Sequence, residues 1–510
     1  MFNKNSRSKN ALLASFASVG NQIVKLVVAF AYRTVFLMIL SKEYLGINGL
    51  FSNIMQLLSL AELGIGSAIV YRLYAAFAQE KIDDIGALIR YFKTVYRNIA
   101  LIVLAVSVCI YPFISSIVNV EEIPPDVNVT VVYFLFIFQS VCSYFFAHKQ
   151  AVLTADQRGH VLTLLNTLIE VLSNVLRIVV LVITHNYLLV LASGIAITVV
   201  TNIVINATIT RKYPDIFASK ANLPKDDRKA IMSDTAGLMC HKVGYIVVTS
   251  TDNLILTKFI SLAATGIYSN YAMIVSALQV MISNAANSLV AIVGNYVNTN
   301  EKAAVYRLYQ RMTSAFYWLA SATAVCLFVL LNPFIRTWLD ESFTFEMAVV
   351  AIVAFQYYLH VSRLASNIFI NACGLFMLDR VRPLFEAAVN LAVSIVLAKA
   401  IGIAGVFVGT CVSAIVTFYW REPYLLYRKF LKENGWWYVG TSILWLGLTV
   451  AMCLLFRWLC AFLPGGWGGF FLQAIFCFAG VNLIYVALMF RADFFKYFVG
   501  KLLTKLRPGR

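Results

Sequence analysis

Residues 23–47 read IVKLVVAFAYRTVFLMILSKEYLGI, and 220 residues later 243–267 read VGYIVVTSTDNLILTKFISLAATGI. Without a gap this register pairs Ile23 with Val243, Val27 with Val247, Val28 with Val248, Val35 with Ile255, Gly46 with Gly266 and Ile47 with Ile267. With shifts of about one residue it continues to Pro112, Phe113 and Ile114, which meet Pro333, Phe334 and Ile335 at the end of the third apolar run of each half. Further on it sets Asn166 against Glu386 and Glu170 against Asn390. Self-similarity at a fixed offset predicts two related halves. About six apolar runs fall within one period, an even number, so both halves keep the same orientation across a bilayer: a parallel repeat about an axis along the membrane normal.

The bilayer itself is dictated by composition. Of 510 residues, 61% are hydrophobic and only 13% charged, far from the usual balance of a soluble domain. Apolar runs of spanning length recur from Ala11 to Phe490, and in lipid an open chain satisfies its own backbone only as helix. The expectation is an all-α polytopic membrane protein of about fourteen transmembrane helices. The ranges are 11–40, 45–78, 95–118, 129–147, 161–183, 187–210, 231–257, 262–297, 312–332, 344–371, 383–399, 402–420, 438–459 and 469–490. The last two fall outside the repeat. Several exceed the minimum length, which predicts tilt or extension beyond the membrane. The basic start, Met1 to Asn10, leads into a run interrupted by Lys25 and Arg33 with no small-residue cleavage site, and so reads as a retained first span.

Charge tests this division. With the N-terminus inside, the cytoplasm receives Lys4, Arg7 and Lys9, six Lys or Arg in 211–230, and six more in 491–510. The other side receives Lys42, Lys258, Arg336, Lys399 and Arg457, together with Glu121, Glu122 and Asp126. Both termini are therefore expected in the cytoplasm. The net charge of +17 is topology rather than a nucleic-acid surface, and no nucleic-acid partner is expected.

Chemistry is not encoded in recognisable form. The nine cysteines lie in or beside apolar runs, without a CxxC pair or a His at ligand spacing, so neither a metal nor a cofactor is expected. A Walker A loop, a DxD pair, an HExxH helix and a nucleophile elbow are all missing, and the outer loops are short. The chain reads as a transporter, not an enzyme. What it does carry are charges at membrane depth, each costing a few kcal/mol unless paired or facing water. Six cations, Lys25, Arg33, Arg72, Arg177, Lys242 and Arg363, stand against five acids, Glu62, Glu170, Asp234, Asp252 and Glu386. The surplus suits an anionic ligand. Lys25, Arg33, Lys242 and Arg363 are the candidates for binding its head group, while Glu62, Asp252, Glu170 and His360 are candidates for ion coupling or helix bracing. Arg380 and Arg382 read as cytoplasmic loop charges.

The segment Tyr44 to Ser67, YLGINGLFSNIMQLLSLAELGIGS, resembles the first-to-second-span signature of bacterial polysaccharide exporters. These are the Wzx-type flippases of the multidrug/oligosaccharidyl-lipid/polysaccharide superfamily. The resemblance extends through Tyr71 to Tyr74, Arg90 to Lys93 and Pro112 to Ile114, and returns at Asn371 to Leu375 and around Glu422 and Pro423. It implies two pseudo-symmetric six-helix lobes in a V around a central cavity: 1–210, then, after a cytoplasmic loop at 211–230, 231–424. Two extra spans over 425–490 and a basic tail over 491–510 would follow. It further implies a multi-pass protein of the bacterial cytoplasmic membrane that flips undecaprenyl-pyrophosphate-linked oligosaccharide units outward, coupled to H+ or Na+ and working with a polysaccharide polymerase and assembly proteins. The alternatives are a multidrug exporter of the same superfamily and a membrane glycan polymerase or ligase. The former would want an acidic cavity, the latter a sizeable outer loop.

Overall fold

The computed structural model describes residues 4–497 other than 63, 118, 157–158 and 380, and within helices leaves aside the side chains of 4–19, 233–242 and 245, among a few others. Every regular element described is helical. The chain divides into two compact units, Met1–Gly266 and Ile267–Arg510.

The first unit holds α1 (Lys4–Ile39), α2 (Lys42–Leu58), α3 (Ile65–Ala78), α4 (Ile82–Ile110), the short α5 (Ile114–Ile117), α6 (Val129–Ala155), α7 (Gly159–Thr184), α8 (Tyr187–Lys212), the short α9 (Pro214–Ala218), α10 (Lys225–Phe259) and the first turn of α11 (Leu262–Thr299). Its core runs between α4, α6 and α8, with α7 packed on α8 and α1 on α7. The second unit takes the rest of α11, then α12 (Lys302–Trp338), α13 (Met347–Ser362), α14 (Leu364–Ala372), α15 (Arg382–Ile401), α16 (Ile403–Ala414), α17 (Trp420–Leu425), α18 (Trp436–Cys460) and α19 (Gly466–Met489). Around α12 gather α13, α18 and α19. Hydroxyls tie the two helices beyond the repeat to it: Tyr317 Oη lies 2.5 Å from Ser442 Oγ, Ser321 Oγ lies 2.6 Å from Thr449 Oγ1, and Ser321 also meets Tyr485. In lipid such bonds and close packing hold helices together, because hydrocarbon gives no hydrophobic drive between them.

All fourteen expected ranges fall on helix. Twelve helices among the described residues are long and apolar enough to cross a bilayer. The remaining two ranges explain themselves. In 45–78 the helix breaks: α2 gives way to a 3-10 turn at Ser59–Glu62, and Gly64 adopts φ 82° before α3 begins. That left-handed backbone is natural only for glycine. The other, α10, is a single 35-residue helix too polar to register as a span. Compactness also divides the chain later than the 211–230 loop, where the sequence suggests a boundary. The reason is that α10 packs on α2 and α3.

The repeat register has a physical counterpart in the first unit. Gly46 abuts the Leu262 carbonyl and Gly266 abuts the Lys42 carbonyl so closely that a Cβ at either position would overlap backbone. Residues 42 and 262, like 46 and 266, stand 220 apart, so the two contacts are one contact seen from both halves. The acidic segment 121–126 reaches the same place: Glu122 Oε2 accepts the Leu262 N–H at 2.5 Å and Asp126 accepts from the Tyr44 hydroxyl. Gly46→Leu and Gly266→Leu should each lower the melting temperature and the monodisperse fraction of detergent-solubilised protein, overpacking of this kind costing about 1–3 kcal/mol or more. Gly440→Leu, at a position open to its surroundings, serves as the control and should change neither.

Candidate functional site

The break between α2 and α3 places a carboxylate within an interrupted helix. Glu62 ends the 3-10 turn, and its Oε1 accepts from the Tyr96 hydroxyl of α4 at 2.7 Å. Tyr96 is itself buried against Phe92 and Tyr144, with ring centroids 4.5 and 6.0 Å away. Interrupted helices let a membrane protein offer polar groups inside the bilayer without leaving backbone unsatisfied elsewhere.

On α1 and α7 of the same unit, cations outnumber acids. Lys25 Nζ stands 2.7 Å from Glu170 Oε2, with both side chains partly exposed. Two turns on is Arg33, half-buried and engaged with its surroundings. One heptad beyond Glu170, Arg177 carries its guanidinium 6.0 Å from the centre of the Tyr32 ring. Tyr32, Phe36, Tyr187 and Tyr44 continue as an aromatic chain, with centroids 5.7, 6.3 and 5.2 Å apart in turn. Spacings of eight on α1 and seven on α7 each keep a pair on one helix face. Three cations and one acid therefore share the α1–α7 region. A surface of that kind attracts a phosphate or carboxylate and can seat a sugar against its tyrosines.

The other acid candidate of this unit, Asp252, lies on α10 at 5% exposure and has a polar or electrostatic contact of its own. Beside it the Asn253 Oδ1 is buried without a hydrogen-bond partner. The Lys242 side chain lies outside the described residues. Arg72, read with the buried cations, reaches Asp227 at 3.6 Å.

Around Arg363, in the second unit, the charges are matched. Arg363 occupies the break between α13 and α14, where its Nη2 donates to Glu422 Oε1 at 2.7 Å and its guanidinium rests 3.8 Å from the Phe418 ring centre. Glu422 is buried at 2% exposure in α17, a six-residue helix that holds Pro423 and is flanked by π-helical turns at Ile415–Tyr419 and Leu426–Leu431. Proline removes a backbone donor, and the π turns absorb the disturbance. Arg382, at the start of α15, bonds Asp379, stands 2.8 Å from Glu386 Oε2 and 3.5 Å from Glu422 Oε1. Arg421 completes the cluster on Asp379 at 3.0 Å. Three arginines thus face three carboxylates. Arg382, which the sequence suggests is a loop charge, is instead buried at the centre; Asp379 and Glu386 stand three and four residues from it, a spacing that signals pairing, whereas Arg363, Arg421 and Glu422 join them only in space. His360 sits one turn before Arg363, its Nε2 3.4 Å from Ser283 Oγ.

Comparison with known proteins adds family and fold to this geometry. Residues 9–292, more than half of the chain, match the family model described as polysaccharide biosynthesis protein. The chain belongs to that family. Its fold is similar to that of the lipid II flippase MurJ in an inward closed conformation, with TM-score 0.65 at 14% identity over 94% of this chain and 100% of that one. An inward-facing multidrug resistance MATE family transporter of the MOP superfamily gives 0.60 at 14% identity, over 81% and 98%. A Vibrio cholerae MATE transporter gives 0.52 at 14% identity, over 84% and 98%. At such identity the likeness is one of fold. A search of curated proteins finds no match. This member of the polysaccharide biosynthesis family is therefore a multi-pass membrane protein whose fold is similar to those of MurJ and the MATE transporters.

Within the family member the Arg363 network makes a direct prediction. Removing one partner from a buried, hydrogen-bonded ion cluster typically costs about 3–5 kcal/mol, since the remaining charges stay buried. Arg382→Met should lower the melting temperature in detergent by more than Lys25→Met, whose pair is part-exposed. Equal shifts for the two variants would show that the cluster is open to water.

Proposed function

We propose that this protein flips undecaprenyl-diphosphate-linked oligosaccharide units from the inner to the outer leaflet of the bacterial cytoplasmic membrane, by alternating access and with both termini in the cytoplasm. The observation that carries the proposal is a local imbalance of charge: among the described side chains of α1 and α7 three cations, Lys25, Arg33 and Arg177, stand with one acid, Glu170, whereas three arginines face three acids around Glu422. A diphosphate supplies the missing negative charge, and the tyrosines beside Arg177 suit the apolar faces of sugar rings. The polyprenyl tail stays in lipid. Lys25 and Arg33 take the larger share of binding in this reading, with Lys242 from α10. Arg363 is already matched by Glu422 and contributes when that pair opens.

Coupling to H+ or Na+ is assigned to Glu62 and Asp252, with Glu170 and His360 as secondary groups. Glu62 is best suited, because Tyr96 donates to one oxygen and the helix break leaves the carboxylate adaptable. A polysaccharide polymerase and assembly proteins would receive the flipped unit. The fold is also that of multidrug exporters, but a cavity for organic cations needs net acidity, and the α1–α7 region has the opposite sign. A polymerase or ligase is disfavoured by the short loops.

The test is flipping of a lipid-linked oligosaccharide by purified protein in liposomes. Arg33→Ala and Lys25→Ala should each slow flipping about tenfold or more, as expected when a charge-assisted bond of about 1.5–3 kcal/mol is lost. Wild-type rates in both variants, with the protein folded, would remove the cationic-site assignment. In cells, depletion should leave the lipid-linked unit on the inner leaflet, whereas loss of a polymerase would leave single units outside.

A further inference from the structure

A second cationic site lies in the second unit, at the end remote from Arg363. There α12, α13, α18 and the start of α19 enclose a cavity of about 500 Å³. Two arginines line it from different helices: Arg336 from the last turn of α12 and Arg457 from the last turn of α18. Asn332, Gln473, Gly466 and Phe470 are among the other walls, and no acidic residue is. Glu341 stands 2.5 Å from Arg336 Nη2, but both side chains are more than half exposed, where such a pair is weak. It also engages only one of the guanidinium's donors. Among the described residues Arg457 has no carboxylate partner.

The third positive element is the beginning of α19. This 24-residue helix starts with Gly465 as its cap, without a side-chain acceptor, and has no acid in its first turn. Gly466 takes φ 76°, and the chain before it folds back so that Gln473 Nε2 donates to the Pro464 carbonyl at 3.3 Å. The free N–H groups and dipole of a helix start favour an anion. Around the mouth, Phe462, Trp467 and Phe471 are 72%, 48% and 58% exposed, as suits side chains lying among acyl chains at an interface.

The repeat supplies a comparison. The equivalent end of the first unit also has a cavity, of about 540 Å³, formed at Pro112 and Ile114, but its lining holds no charged residue. Of these two cavities the cationic one is that of the second unit, where α18 and α19, the helices outside the repeat, bring Arg457 and the uncapped helix start.

We propose that this cavity binds the phosphate of a lipid head group through Arg336, Arg457 and the α19 N-terminus, with the lipid chains along Phe470 and Phe471. It shares no residue with the cargo site proposed on α1 and α7 and gives α18 and α19 a ligand of their own. Guanidinium–phosphate bonds are bidentate, so two arginines from two helices fix a phosphate in place rather than merely attract it.

Native mass spectrometry of the purified full chain tests this, with added dioleoyl phosphatidylglycerol, dioleoyl phosphatidylcholine and farnesyl diphosphate as separate probes. Wild-type protein should retain at least one of the anionic probes about tenfold more than phosphatidylcholine. The double variant R336Q/R457Q should lose that preference, while R491Q should keep it. Gly465→Asp guards against misfolding: the position is open, its backbone is extended, and Asp there caps α19 while placing a carboxylate at the site. It should raise the melting temperature yet abolish retention. Retention of phosphatidylglycerol alone assigns a phospholipid, and retention of farnesyl diphosphate alone assigns the diphosphate of a polyprenyl lipid. Unchanged retention in both R336Q/R457Q and Gly465→Asp overturns the proposal. The readout is binding, so its failure leaves the flipping assay of Lys25 and Arg33 untouched.

Discussion

Hydrocarbon offers a charged or polar group nothing, and each one carried to membrane depth must find its answer within the protein or in a ligand. This constraint orders the whole structure. Where the chain answers its own charges, as Arg382 does with Asp379, Glu386 and Glu422, the result is a brace. Where cations outnumber acids, as Lys25, Arg33 and Arg177 do Glu170, the local field favours an anion.

Helix interruption positions several of these groups. Glu62 lies at the α2–α3 break, Arg363 at the α13–α14 break and Glu422 between two π turns with a proline beside it. In a continuous helix a side chain follows the regular turn and its backbone partners are occupied. A break re-aims the side chain and frees the local geometry, at a cost met by neighbouring hydrogen bonds.

How much of this was legible in the sequence depends on the range of the interaction. Span positions follow from apolar run length, a local property, and every expected range falls on helix. The Ser59–Gly64 break was hidden because Leu60, Ala61 and Ile65 keep the run apolar, and only Gly64 hints at it. On one helix, spacing finds the pairs Lys25 with Arg33 and Glu170 with Arg177. It does not find that Lys25 and Glu170 meet, because that depends on how α1 packs on α7. The Arg382 cluster is legible only in part, since Asp379, Arg382 and Glu386 stand at helical pair spacing while Arg363, Arg421 and Glu422 join them in space. Its members come from 363, 379, 382, 386, 421 and 422, and hydropathy around 379–386 reads as an ordinary loop-to-helix passage.

The contact of Gly46 with residue 262 and of Gly266 with residue 42 has the form of an isologous interface, in which one surface meets a copy of itself across a twofold axis. Two separate subunits would make it twice by symmetry; here one polypeptide makes it with its own two halves. Each half thus supplies both a glycine and the carbonyl that the other half's glycine meets. A bulky residue accepted at one glycine would have to be matched by a retreat of backbone in the opposite half.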